Sequence, residues 1–96
     1  GGICDGTLAL ARAGLLDQRP HTANGPDSLS ITGYGGAAHY RDQPRAVLAD
    51  RVVTAAGTAP VSFMGAVLDS LGLKSAELDA YLSLFGAEHL APVSAA

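Results

Sequence analysis

The chain's only cysteine, Cys4, lies between glycines, with Gly1 and Gly2 directly before Ile3 and Gly6 two positions after the thiol. If residues 1–3 end a buried strand and Gly6 opens a helix, Cys4 occupies the abrupt turn between them, which is the geometry of a nucleophile elbow. Such a turn is strained and brings neighbouring backbone close, so small residues are required on either side. Gly2 and Gly6 meet that requirement. A helix starting directly behind the thiol turns unpaired N–H groups toward it. These favour the thiolate and, near Asp5 and Gly6, could hold an oxyanion. The commoner fate of a lone cysteine is a small apolar residue at a strand end, and that reading stands beside the first.

Acid–base partners are few. Three histidines occur, His21, His39 and His89. Only imidazole shuttles a proton near neutral pH, which favours His21, whereas Asn24 could orient or donate but not deprotonate. Side chains alternate along an extended segment, so His21 and Asn24 should point to opposite faces and only one of them should meet Cys4. His21 also fits a strand histidine bonded to backbone. His39, in a glycine-rich loop beside Tyr40, reads as exposed or structurally hydrogen-bonded, and His89 near the tail as uninvolved. Asp5 adjoins Cys4 on a tight turn and should point away as polar surface. Thr54, Gly57 and Thr58 lie between a core strand and a helix, where open α/β sheets bind ligands, although they also suffice as a cap and hinge. The histidines and the cysteine show no metal-ligand spacing, so neither metal nor cofactor is expected.

The elements that must position these residues follow from pattern. GTLALARA (Gly6–Ala13) carries Leu8 and Ala11 and continues to Leu15 at helical spacing, with Gly14 near the exit. RPHTA (Arg19–Ala23) predicts a strand ended by Asn24-Gly25-Pro26-Asp27. Residues 28–39 read as a glycine-rich loop with one helical turn near Ser28. RAVLA (Arg45–Ala49) and RVVTA (Arg51–Ala55), separated at Asp50, predict a tight antiparallel pair with Val52 and Val53 buried. Gly57-Thr58-Ala59-Pro60 gives a turn with an N-cap at or near Thr58. The helix that follows should bury Val61, Met64, Val67, Leu68 and Leu71 and stop at Gly72. Ser75 caps a second helix over residues 76–85 with Leu78, Tyr81, Leu82 and Phe85 as its stripe, and residues 91–96 read as a frayed tail.

Composition bounds the function. At 96 residues, 48% apolar, the chain suits one small domain near the lower limit for a stable core. Six basic residues scattered singly against nine acidic ones form no basic patch, so no nucleic-acid role is expected. A single cysteine excludes an internal disulfide and points to a reducing cytoplasm. The longest nearly apolar run, residues 59–68, is far shorter than the roughly 20 residues that span a bilayer, so no membrane association is expected. The opening at Gly1, without Met, reads as a cut end.

GICDGTLALARAGLLDQR resembles the elbow segment of the ThiJ/PfpI family, class I glutamine amidotransferase-like proteins, in which a cysteine elbow leads into a helix ending in A-G-L-L-D. RVVTAAGTAPVSFMGAVLDSLGL is similar to the family's later strand, turn and long helix, and HTANGP and GYGGAAHY to a bacterial branch with an H-T-S-N element. The resemblance implies an α/β flavodoxin-like three-layer sandwich of which residues 1–96 form the C-terminal half, beginning at the elbow. It further implies that an acidic partner of the thiol belongs to the first half. Many relatives place a triad histidine in a T-T-H element whose counterpart here is Asn24, with His21 three residues earlier. Glutamine amidotransfer is disfavoured, because Glu88 and His89 are adjacent and in reversed order. The resemblance implies a cysteine-dependent hydrolase or lyase acting through Cys4 on a small carbonyl, amide or isonitrile-type molecule, in a homodimer or in association with the first half. Alternatives are a stress-response or redox-sensing protein with an oxidisable Cys4, and an inactive fragment.

Overall fold

The segment Val53-Thr54-Ala55 is buried at three consecutive positions. Side chains alternate across a strand, so this can happen only where both faces of a sheet are covered. The computed structural model describes residues 1–73 and 75–85. Within them this segment belongs to the middle strand of three. In chain order the elements are β1 (Gly2–Ile3), α1 (Gly6–Arg12), β2 (Val47–Ala49), β3 (Val52–Ala55), α2 (Pro60–Ser70) and α3 (Ala76–Phe85), with 3₁₀ turns at Ser30–Thr32 and Ala37–His39. The sheet order is β1-β3-β2. β1 runs parallel to β3, with Gly2 opposite Thr54 and Ile3 opposite Ala55, and β2 runs antiparallel, with Val47 opposite Thr54 and Ala49 opposite Val52.

Val52 packs into the cluster of Ala11, Leu16, Ala23 and Leu29, so alternation puts Val52 and Thr54 on the α1 side. Val53 and Ala55 take the other face, and α2 packs on β2 and β3. This is a mixed α/β layered fold, as the sequence implies. Leu16 and Leu29 are fully buried, each contributing about 2 kcal/mol of apolar burial.

The expected hairpin forms, and its loop is only Asp50-Arg51. Both residues adopt positive φ, 50° and 67°, as a two-residue turn between right-twisted strands requires. Helices α1 and α2 end in the same way. Gly14 and Gly72 take φ of 79° and 74°, and the next residues donate backward, Leu15 N–H to Leu10 O at 3.1 Å and Leu73 N–H to Leu68 O at 2.9 Å. Each is a Schellman closure built on a glycine free to turn left-handed. Ser75 caps α3, its Oγ accepting from Leu78 N–H at 3.1 Å.

Three expectations are corrected. The RPHTA segment is extended but is not a full strand. His21 makes one parallel bridge to Tyr40, while Thr22 spends its N–H on the Thr54 hydroxyl and Pro20 has none to give. Residues 28–39 hold two 3₁₀ turns instead of one helical turn. The N-cap of α2 falls at Ala59, next to Thr58 as expected, and makes no side-chain cap; Pro60 at the first position supplies the fixed φ that starts the helix. The α2 stripe is not core, with Met64 38% and Leu71 63% exposed and only Gly65 buried. Leu82 of α3 packs where a Gly65 Cβ would stand, at 2.6 Å from its Cδ1, so this glycine lets the two helices approach. Residues 91–96, Glu88 and His89 lie outside the described residues.

Candidate active site

Cys4 follows β1 directly, and its N–H donates to Ala55 O at 3.0 Å, which extends the parallel pairing by one residue before the chain turns. The turn is made at Cys4 itself, whose φ is 55°. Left-handed backbone costs an L-residue about 1–2 kcal/mol, and here it aims an exposed side chain outward from the end of a buried strand. Thr7 secures the turn from behind, its hydroxyl donating to Cys4 O at 2.7 Å.

The two flanking glycines have different roles. A Cβ on Gly2 would lie 2.8 Å from Gly6 O and 2.9 Å from Leu10 Cδ1, so Gly2 is where α1 crosses close over β1. A Cβ on Gly6 would meet nothing within 4 Å, so the expectation that Gly6 is required by close packing is corrected. Asp5, exposed, is the N-cap residue of α1 and makes no side-chain cap.

Asn24 faces the thiol. Its Nδ2 donates to Cys4 Sγ at 3.3 Å, and its Oδ1 accepts the Gly57 N–H at 2.8 Å. The second bond fixes the orientation of the amide, because an N–H can only be answered by the oxygen; the NH₂ is thereby left to the sulfur. Gly57 lies against both groups. A Cβ there would stand 3.1 Å from Cys4 Sγ and 3.5 Å from Asn24 Oδ1, so a larger residue would press on the sulfur while meeting the amide at ordinary contact distance.

His21 is turned the other way, as the alternation along residues 21–24 demands. It is fully buried, its Nδ1 is 2.7 Å from Arg19 O, and its Nε2 is 2.8 Å from Tyr34 Oη. A proton-shuttling role for His21 at Cys4 is corrected on this geometry, since both ring nitrogens are engaged away from the sulfur. Among the described residues no imidazole or carboxylate hydrogen-bonds Cys4 Sγ. Thr54, expected to line the ligand loop, is buried and accepts the Thr22 N–H at 2.9 Å, so it registers the 21–24 segment instead. Thr58 is exposed beside Gly57. The structure therefore brings together Cys4, Asn24 and Gly57, and leaves His21 and Thr54 in the layer beneath. His39 is exposed. No group of three His, Cys, Asp or Glu able to hold a metal occurs among the described residues. No helix among them is long and apolar enough to cross a membrane.

A recess of about 270 Å³ lies elsewhere, between α2, α3 and the lead into β2, lined by Gln43, Arg45, Ser62, Asp69 and Leu82 among others. Its serine, Ser62, already accepts the Ala46 N–H at 2.8 Å.

Comparison with known proteins gives three likenesses. The chain is 52% identical to a solved DJ-1 superfamily protein from Agrobacterium tumefaciens, with a TM-score of 0.84 over 92% of this chain and 47% of that one. It is 34% identical to a solved thiJ/pfpI family protein from Bacillus anthracis, with a TM-score of 0.78 over 90% of this chain and 42% of that one. Over 71 residues it is 41% identical to a Bacillus subtilis protein named uncharacterized protease YoaZ, covering 72% of this chain and 33% of the relative. The chain thus spans less than half the length of each. No family model matches.

Proposed function

Because the chain belongs to the DJ-1/ThiJ/PfpI superfamily, we propose that Cys4 is the nucleophile of a hydrolase or lyase acting on a small carbonyl, amide or isonitrile-type substrate. The observation that carries this reading is a non-glycine residue at φ 55°, exposed, with an amide N–H on its sulfur. Strain of this kind persists only where surrounding structure over-determines it, and here it presents the one soft nucleophile of the chain. The word protease in the name of the B. subtilis relative supports hydrolysis as the reaction class.

For an amide substrate the steps balance as follows. The thiol proton leaves to solvent, to which the site is open. Sulfur then attacks the carbonyl carbon, and the π electrons move to oxygen. N–H groups of Asp5 and Gly6, just after the nucleophile, hold that oxyanion, while the Asn24 NH₂, no longer needed by a neutralised sulfur, turns to it. Collapse re-forms the carbonyl and expels the amine, which takes its proton from water. Water then cleaves the thioester and regenerates the thiol. Asn24 cannot serve as base at any of these steps, so the chemistry favours substrates whose leaving group needs little protonic help.

The test is turnover of a panel of small activated esters, amides and aldehydes by the protein and its Cys4→Ser variant. Loss of turnover in the variant is expected; undiminished turnover would end the proposal. An oxidation-sensing role rests on the same exposed thiol. It would replace catalysis if mild peroxide added two oxygens stably at Cys4 and the panel showed no turnover.

A further inference from the structure

We infer that His21, buried under two tyrosines, is a positioning residue that holds Asn24 against the Cys4 thiol; the inference rests on the reading of Cys4 as the reacting group. The Arg19 carbonyl can only accept, so the 2.7 Å contact requires the proton on Nδ1. Nε2 shares a second hydrogen bond with the Tyr34 hydroxyl at 2.8 Å, so both ring nitrogens are engaged. Tyr34 and Tyr40 stand edge-on to it at 5.4 and 5.7 Å between centroids.

This cluster fixes the backbone that leads to Asn24. His21 N–H donates to His39 O at 3.3 Å, Arg41 N–H donates to His21 O at 2.7 Å, and the Tyr40 hydroxyl reaches Ala23 O at 3.4 Å. From the opposite face Thr54 holds Thr22. Asn24 is the next residue, itself exposed and placed in a bend outside any ladder, so its lateral position is inherited from residues 21–23. The demand on that position is tight, because one amide spans Gly57 N–H and Cys4 Sγ, and a Cβ at residue 57 would already stand 3.1 Å from the sulfur. A displacement of about 1 Å is enough to lose such a contact and can cost far more than the group's own energy.

The experiment measures the rate of Cys4 alkylation by iodoacetamide across pH in the intact protein and in Tyr34→Phe, Asn24→Ala and the double variant. Tyr34→Phe removes one hydroxyl and keeps the ring packing. Circular dichroism verifies the fold, and His21→Gln, which can still reach Tyr34, serves as the conservative rescue. Asn24→Ala should slow alkylation about tenfold, as expected for losing the hydrogen bond that holds the reacting sulfur. Tyr34→Phe should slow it about threefold, and His21→Gln should stay closer to the parent than Tyr34→Phe does. Added to Asn24→Ala, Tyr34→Phe should slow it no further. If Asn24→Ala slows alkylation and Tyr34→Phe does not, or if Tyr34→Phe acts equally in both backgrounds, the positioning role is wrong and the amide's role stands. If Asn24→Ala leaves the rate unchanged, the amide's role fails and the positioning role falls with it.

Discussion

Among the described residues, two places force non-glycine residues into left-handed backbone, and they do so for different reasons. At the hairpin, Asp50 and Arg51 take positive φ because a two-residue loop between twisted strands leaves no other geometry. Their side chains contribute little there: both residues are exposed, and the Arg19–Asp50 pair at 3.7 Å is too open to add much. At the elbow, Cys4 takes φ 55° and its side chain meets a donor, Asn24, and a glycine wall, Gly57. Strain at the hairpin is a cost of topology that glycine could remove. Strain at the elbow cannot be removed that way without removing the group it presents. The contrast separates a turn that any permissive residue can make from a turn selected for what it carries.

The sharpest way to break the contrast is Cys4→Gly. It should relieve the backbone and stabilise the fold by about 0.5–1 kcal/mol, while lowering turnover on the order of 10³-fold or more. Urea unfolding and steady-state kinetics on one preparation read both, and a Cys4→Gly protein that is active would dissolve the distinction. Next in size is Gly57→Ala, whose methyl would stand 3.1 Å from Sγ. Thiol alkylation and turnover should fall together by about tenfold, with a smaller change in melting temperature. Arg51→Gly is the matching change at the hairpin. It should stabilise by about 0.5–1 kcal/mol and leave turnover unchanged; equal losses of activity from both glycine variants would mean that the elbow is not special.

The smallest effect concerns the layer behind Asn24. Burial foremost, then the neighbouring Tyr40 and Asp17, raise the Tyr34 hydroxyl above its usual 10.0. A phenol harder to ionise in the folded chain contributes stability that is intact below about pH 10 and is lost as pH rises through its folded value. The native protein should therefore weaken slightly above pH 10, and Tyr34→Phe should flatten that decline in a pH series of urea midpoints.

Much of the scaffold was legible because local rules decide it. GxCxG marked the elbow, the run RAVLADRVVTA the hairpin, Gly14 and Gly72 the helix ends, and Ser75 a cap. The choice between His21 and Asn24 was left open by the spacing and settled by burial: alternation says that the two diverge, but only the tertiary packing of Tyr34 and Tyr40 says which one goes inside. Leu16 was missed as core because it lies beyond Gly14, where helical period no longer applies, yet it is fully buried. Gly36 carries no local signal either, for a different reason: a Cβ there would collide with the Leu16 carbonyl, a contact made across 20 residues of chain. The α2 stripe misled in the opposite sense. Helical spacing reports which residues share a face, and nothing local reports how much of that face finds a partner.

The most direct test of the account is to mix the protein with a small acyl donor, quench within milliseconds to seconds, and weigh it. A single acyl group mapped to Cys4, forming at least as fast as product and absent in Cys4→Ser, is the predicted result. Turnover without any adduct at Cys4, or an adduct elsewhere that supports the same rate, would contradict it.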